Sequence, residues 1–167
     1  TAGGNAAITT STFMVGDSSA AFDGTTDHIE VGANNVFDWM HKGVESWTMV
    51  VRLRATTVDG TNYRTVWASF IGGAQNGIIV NMAPNGSIGV IIGNGNASYA
   101  LAHYSATGSI VQNQWHYVEI NYDHTASHGS RSKVFVDGVS LGSQTSGTNT
   151  YDSGVAYATP RIGRYPA

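Results

Sequence analysis

Asp23 and Asp27 stand out first, in the stretch Ala-Phe-Asp-Gly-Thr-Thr-Asp-His-Ile-Glu-Val at 21–31, because two carboxylates this close can share a hard cation. Calcium takes roughly six to eight oxygen ligands, and the Asp-Gly-Thr-Thr-Asp spacing lacks the Asp-x-Asp-x-Asp-Gly order of an EF-hand loop, so nothing local completes the set. Asp-Gly between alternating apolar residues is also a strong hairpin signal, and an aspartate in a turn accepts bonds from nearby amides. The residues favour a turn between two strands.

Glycoside hydrolysis needs two carboxyl groups about 5–9.5 Å apart. Glu119 and Asp123 share a strand face in Trp-His-Tyr-Val-Glu-Ile-Asn-Tyr-Asp, yet four residues of strand separate their backbones by roughly 13 Å. Glu30 and Glu45 are the other two glutamates, and neither lies inside an alternating strand. No catalytic pair is expected. His124 and His128 have the spacing of metal ligands on a helix, but Asp-His-Thr-Ala-Ser-His-Gly-Ser-Arg-Ser is a run of loop formers that gives them no common face. Serines are spread along the whole chain and single out no Ser-His-Asp group. Cysteine is absent, which removes disulfides and thiolate chemistry.

The elements that hold these residues are strands. With 167 residues, 41% of them apolar, the chain can bury one core, and we expect one domain over 1–167. Charged residues are 11% against roughly 25% in an average soluble domain, and the net charge of -3 comes from scattered groups. That pattern gives no electrostatic footprint for nucleic acid or for anionic lipid. Apolar runs such as Ile-Gly-Val-Ile-Ile-Gly at 88–93 fall far short of the ~20 residues that span a bilayer.

Alternation of period two places Trp47, Met49, Val51 and Leu53 on one face of a strand and Thr48, Val50, Arg52 and Arg54 on the other. The same pattern opposes Val118, Ile120 and Tyr122 to Tyr117, Glu119, Asn121 and Asp123, and sets Val134 and Val136 against Lys133, Phe135 and Asp137. Each of these strands should bury one side, as antiparallel sheets do. Further strands are expected at 64–72, 76–83, 87–93, 97–104, 139–144 and 160–164, with Asp137-Gly138 among the turns. A short helix over 34–43, capped by Asn34 or Asn35 and stopped by Gly43, and a long loop at 143–154 complete the reading. Ten or more short strands imply two packed antiparallel sheets.

Four pieces in fixed order carry a resemblance: Ala-Ala-Phe-Asp-Gly-Thr-Thr-Asp-His-Ile-Glu-Val, Ser-Trp-Thr-Met-Val-Val-Arg-Leu-Arg, Trp-His-Tyr-Val-Glu-Ile-Asn-Tyr-Asp, and Lys-Val-Phe-Val-Asp-Gly followed by Pro-Arg-Ile-Gly-Arg-Tyr. Together they resemble the laminin-G-like, or concanavalin-A-like, jelly roll over about residues 18–165, an all-β two-sheet antiparallel sandwich. The opening also resembles the versions carried by bacteriophage tail, fibre and decoration proteins. The resemblance implies a display scaffold on a virion surface or outside the cell, with other subunits of an assembly or glycans as partners. It also implies a structural calcium as candidate cofactor, with Asp23 and Asp27 as its ligands, and a structural rather than functional His116.

If the strands around Arg52, Glu119 and Lys133 are neighbours in one sheet, as the resemblance implies, their outer face collects Arg52, Arg54, Tyr117, Glu119, Asn121, Lys133 and Phe135. Polar groups beside two rings suit a sugar. The simpler account, which the sequence favours, is cross-strand charge pairing worth about 0.2–1 kcal/mol per pair. Tyr99, Tyr104 and Tyr63, near loop ends, form a second candidate edge. Relatives of this kind add one more strand after the Ile-Gly strand, so a slot beside the opening strand is expected to be filled by residues 1–12, by a neighbouring subunit, or by residues of the same polypeptide outside this sequence.

Overall fold

Strand alternation becomes sheet architecture in the computed structural model, which describes residues 2–4, 6–9, 18–33, 35–70, 76–96, 98–140, 142–152, 154 and 158–164. In chain order the elements are β1 (Ala2–Gly3), β2 (Ala7–Thr9), β3 (Ser19–Ala21), β4 (His28–Glu30), α1 (Asp38–His41), β5 (Trp47–Arg54), β6 (Arg64–Ala68) and β7 (Ile78–Met82). There follow β8 (Ile88–Gly93), β9 (Tyr99–Tyr104), β10 (Trp115–Tyr122), β11 (Ser132–Val136), β12 (Val139–Ser140), β13 (Ser143–Ser146) and β14 (Arg161–Ile162). The eight-stranded sheet has the order β1-β4-β14-β6-β7-β8-β9-β13, the four-stranded sheet β12-β11-β10-β5, and β2-β3 forms a small ribbon. Every described pairing is antiparallel. The molecule is an all-β jelly-roll sandwich.

One core lies between the two large sheets. From the four-stranded sheet come Trp47, Val118, Ile120, Tyr122, Val134 and Val136, and from the eight-stranded sheet Trp67, Ile78, Val80, Val90, Ile92 and Leu101. On β10 the alternation is complete, since Val118, Ile120 and Tyr122 are 0%, 1% and 2% exposed while their neighbours are half-buried. The eight-stranded sheet departs from this rule at its centre. All five residues of β7 are buried, because Ala68, Phe70, Ile79 and Ile91 form a second apolar cluster.

The Asp137-Gly138 turn is a two-residue hairpin with Val136 opposite Val139 and positive φ at both positions, 53° and 80°, the geometry whose twist matches its flanking strands. Other expectations need correction. The stretch at 21–31 is no hairpin: β3 pairs with β2, while β4 pairs with β1 and β14, so Asp23 lies on a connection between two sheets. The strand expected at 139–144 is two strands in different sheets, β12 beside β11 and β13 beside β9. The first four residues of the loop expected at 143–154 are therefore in β13. Phe37 sits at the N-cap of α1 with no side-chain cap, so Asn35 does not cap it, and Asn34 lies outside the described residues. Residues 71 and 72 of an expected strand also lie outside them. Beside β4, the outer place is taken by β1, with Ala2 opposite Ile29 and Gly3 opposite His28. Residues 1, 5 and 10–12 of the segment expected near that edge lie outside the described residues.

Candidate functional site

β10 is the middle of the candidate surface because it pairs on both sides. Tyr117 lies opposite Arg52, Glu119 opposite Val50 and Phe135, and Asn121 opposite Thr48 and Lys133. The alternation that buries Val118, Ile120 and Tyr122 turns these residues to the outer face, so Arg52, Tyr117, Glu119, Asn121, Lys133 and Phe135 share one surface. A hydrogen-bonded row crosses it: the Thr48 hydroxyl donates to Asn121 Oδ1 at 2.6 Å, and Asn121 Nδ2 donates to Glu119 Oε1 at 2.7 Å. The Arg52 guanidinium lies 5.9 Å from the centre of the Tyr117 ring. Among the described residues no ion pair joins Arg52, Lys133 or Glu119 to anything. Cross-strand charge pairing therefore does not account for this face. Arg54 is drawn aside, donating through Nε to the Asn113 carbonyl at 3.0 Å.

The face runs into an open depression of about 570 Å³ lined by Ser46, Trp47, Thr48, Asn121, Tyr122, Asp123, Arg131 and Lys133, among others. Arg131 Nε donates to the Ala126 carbonyl at 3.1 Å, and its guanidinium stands 5.5 Å from the centre of the Tyr151 ring. Burial pushes the Tyr122 hydroxyl above its ordinary value. Arg131 escaped sequence reading because it precedes β11, in the run of loop formers before the alternation of Lys133 and Phe135 begins. Its one signal is the alternation that continues Lys133 and Phe135 backwards.

A second depression, about 450 Å³, lies at the rim of the eight-stranded sheet and brings Tyr63 and Tyr104 together. Tyr99 is not part of it. It sits at the opposite end of β9, where its carbonyl accepts the Thr148 N–H at 2.9 Å.

Asp23 is engaged by its own loop. Oδ1 accepts the N–H groups of Thr25 (2.8 Å), Thr26 (2.8 Å) and Asp27 (3.0 Å), and Oδ2 accepts the hydroxyls of Thr25 and Thr26, both at 2.8 Å. Asp27 Oδ2 accepts the Asp23 N–H at 3.0 Å. A calcium ion would have to displace these donors, and among the described residues no group of three or more His, Cys, Asp or Glu side chains converges. This donor set does not fit calcium. His116 is held between two partners, with Nε2 accepting the Val111 N–H at 3.0 Å and Nδ1 donating to Asp137 Oδ2 at 2.7 Å. His128 bonds the Gly147 carbonyl and His124 bonds Ser46, so the two histidines do not converge.

Pairing of β5 with β10 does assemble a serine, a histidine and an aspartate, although the sequence singled out no such group. Ser46 Oγ lies 3.0 Å from His124 Nδ1 and 3.4 Å from Asp123 Oδ1. Both partners face the serine and no hydrogen bond joins them, so the aspartate cannot orient the imidazole as in a hydrolase triad. Gly-Val-Ser-Leu-Gly at 138–142 spells the Gly-x-Ser-x-Gly pattern, but Ser140 is on a hairpin strand rather than a strand-to-helix turn. One carboxylate, Asp123, lines the first depression and none lines the second, whereas glycoside hydrolysis uses two.

These bonds set the pH dependence of stability. The Asp27 N–H and the other donors hold the Asp23 carboxyl well below the usual range, and the Asn62 N–H does so chiefly for Asp59; the Thr125 hydroxyl lowers Asp123 and the Tyr117 N–H lowers Asp137. Lowered folded-state values contribute stability that is complete above the unfolded carboxylate range near about 4 and lost as pH falls below it. Burial lowers His41 from its ordinary 6.5, partly offset by its bond to the Gly154 carbonyl and by Asp38. Its contribution is complete above 6.5 and starts to fall below that value. Urea midpoints should therefore fall in two stages, a shallow one below about pH 6.5 and a steep one below about pH 4. Equal midpoints at pH 7.5 and pH 5 would remove His41 from this account.

No helix among the described residues is long and apolar enough to cross a membrane. The chain matches no family model and no curated protein sequence. Its structure is similar to the CBM40 of the Ruminococcus gnavus IT-sialidase bound to α2,3 sialyllactose, with a TM-score of 0.58 and 12% identity over 83% of this chain and 78% of that one. The same CBM40 bound to α2,6 sialyllactose gives 0.57 at 12% identity, over 83% and 79%. Domains LG4-5 of the mouse laminin α1 chain give 0.51 at 16% identity, over 73% of this chain and 30% of the laminin chain. At these identities the likeness is one of fold: the chain has the sandwich that carbohydrate-binding modules and laminin G domains share.

Proposed function

We propose that the chain is a non-catalytic module that binds glycans on the outer face of its four-stranded sheet and is displayed on a virion or another extracellular assembly. The observation that carries the reading is the face itself, where Arg52, Lys133 and Glu119 stand beside the Tyr117 and Phe135 rings without an ion pair among the described residues. Rings can cover the apolar side of a sugar while these groups and the Asn121 amide bond its hydroxyls. Support also comes from the sialyllactose-bound modules of the same fold. For a sialylated sugar, Arg131 and Lys133 in the adjoining depression would receive the carboxylate. The virion setting rests on the phage-like opening of the sequence.

A glycan array followed by titration with 3′-sialyllactose tests the reading. Tyr117→Ala and Phe135→Ala should each weaken binding at least about fivefold, near 1 kcal/mol, while stability changes by no more than about 1 kcal/mol. Binding that is unchanged in both variants, or no glycan bound at all, would overturn it.

A structural or decoration role held by protein contacts has one observation in its favour. β5 is an edge of the four-stranded sheet for 8 residues, and Val50 on it is 50% exposed. No described strand pairs with its free side, which is where another chain can add a strand. Self-association lost on Val50→Lys would support that reading.

A further inference from the structure

The depression at the rim of the eight-stranded sheet has a different chemistry from the sheet face. Its lining includes Tyr63, Asn85, Ser87, Tyr104, Thr107 and Gly142, and no charged side chain takes part. Tyr63 is 63% exposed, while the Tyr104 ring is fixed by its hydroxyl, which donates to Asn81 Oδ1 at 2.5 Å. The polar groups between them are held in place. Asn85 Oδ1 accepts from the Ser87 N–H at 3.0 Å and the Ser87 hydroxyl at 2.8 Å, and Asn85 Nδ2 donates to Thr107 Oγ1 at 3.1 Å.

Donor arithmetic shows what remains. An amide nitrogen has two hydrogens and Thr107 takes one, so one Asn85 N–H is left, and because Thr107 Oγ1 accepts, its own hydrogen is also left. The depression thus offers an exposed ring, a fixed ring, two donors and the Tyr63 hydroxyl, with no charge to attract or repel an ion. Neutral hydroxyls and a weakly apolar ring face are the complement of such a lining. We propose that this depression is a second saccharide site, selective for an uncharged pyranose and separate from the sheet face. The module would then hold two parts of one glycan, or two glycans, on different sheets. Each site need bind only weakly, since linked contacts add through effective concentration.

Amide NMR titration of the whole chain with lactose, cellotriose and tri-N-acetylchitotriose tests the proposal. At least one of these neutral sugars should give saturable shifts at Tyr63, Asn85, Thr107 and Gly142, with a dissociation constant of about 1 mM. Tyr63→Ala should weaken that binding about tenfold, Tyr63→Phe should retain most of it, and Tyr117→Ala should leave it unchanged. The proposal is overturned if all three sugars leave these amides unmoved, if Tyr63→Ala has no effect, or if shifts appear there only with 3′-sialyllactose. Failure of the sheet-face reading has a separate signature, since it would show as sialyllactose binding indifferent to Tyr117→Ala while the neutral-sugar results stood.

Discussion

Trp47→Ala should cost about 3–5 kcal/mol of stability, the range for deleting a large aromatic side chain from a core. Trp47 opens β5 on its inner face and is buried. Its ring stacks on Tyr122 with centroids 5.6 Å apart and an interplanar angle of 22°, and its Nε1 donates to the Met40 carbonyl at 2.9 Å. Those contacts tie α1 to the start of the four-stranded sheet. Alanine would leave a cavity beside Tyr122 and a buried carbonyl without its donor, and both effects destabilise. Trp47→Phe separates the two, because a ring remains while the Met40 bond is lost, so its cost should be clearly smaller. Urea midpoints at constant m-value measure both. A loss below about 1 kcal/mol for the alanine variant would mean that neighbouring side chains collapse into the space and that the stack is not a structural anchor.

The strands that carry the candidate surface were legible in the sequence because period two is a local signal. Tyr117, Glu119 and Asn121 alternate with Val118, Ile120 and Tyr122 over a strand long enough to leave no other assignment, and the structure buries the second set. The two-residue turn at Asp137-Gly138 was legible for the same reason, since side-chain chemistry there dictates backbone dihedral angles. Choice of sheet was not legible. Nothing local distinguishes a strand that continues from one that crosses to the opposite layer, so 139–144 read as one element although β12 and β13 belong to different sheets. The same limit made 21–31 read as a hairpin, because pairing of β4 with β1 and β14 depends on residues far away in the chain.

Site chemistry divides along the same line. Alternation places Arg52, Glu119 and Lys133 on one face, but whether they pair with one another depends on side-chain reach across the register, and there the sequence favoured the pairing that the structure lacks. Tyr63 and Tyr104 meet, and Tyr99 does not, because the two ends of β9 face different loops. Asp23 shows the opposite case. Its neighbours Thr25, Thr26 and Asp27 donate to its carboxylate, so a turn role could be read from adjacent residues alone.

The crossing between the sheets can be tested at Gly142. It has φ of +81°, and a Cβ there would come 2.0 Å from the Tyr104 carbonyl oxygen and 3.1 Å from Ser105 Cα. Two costs follow for Gly142→Ala: about 1–2 kcal/mol for an L side chain in the left-handed region, and about 1–3 kcal/mol for forcing atoms into occupied space. Gly138 supplies the control within the same molecule, since its φ is +80° but no atom lies within 4 Å of its added Cβ. Gly138→Ala should therefore show the first cost alone, and Gly142→Ala the sum, about 2–5 kcal/mol. The excess has a location. Ser143 lies opposite Tyr104, so relief of the clash would push β13 away from β9, and amide exchange should quicken in those two strands before the rest of the sheet. Displacement of Tyr104 would also disturb the rim depression, and neutral-sugar shifts at Tyr63 and Asn85 should weaken in any folded Gly142→Ala protein. Equal losses in the two variants, with exchange in β9 and β13 unchanged, would show that the chain does not cross between the sheets against the Tyr104 carbonyl.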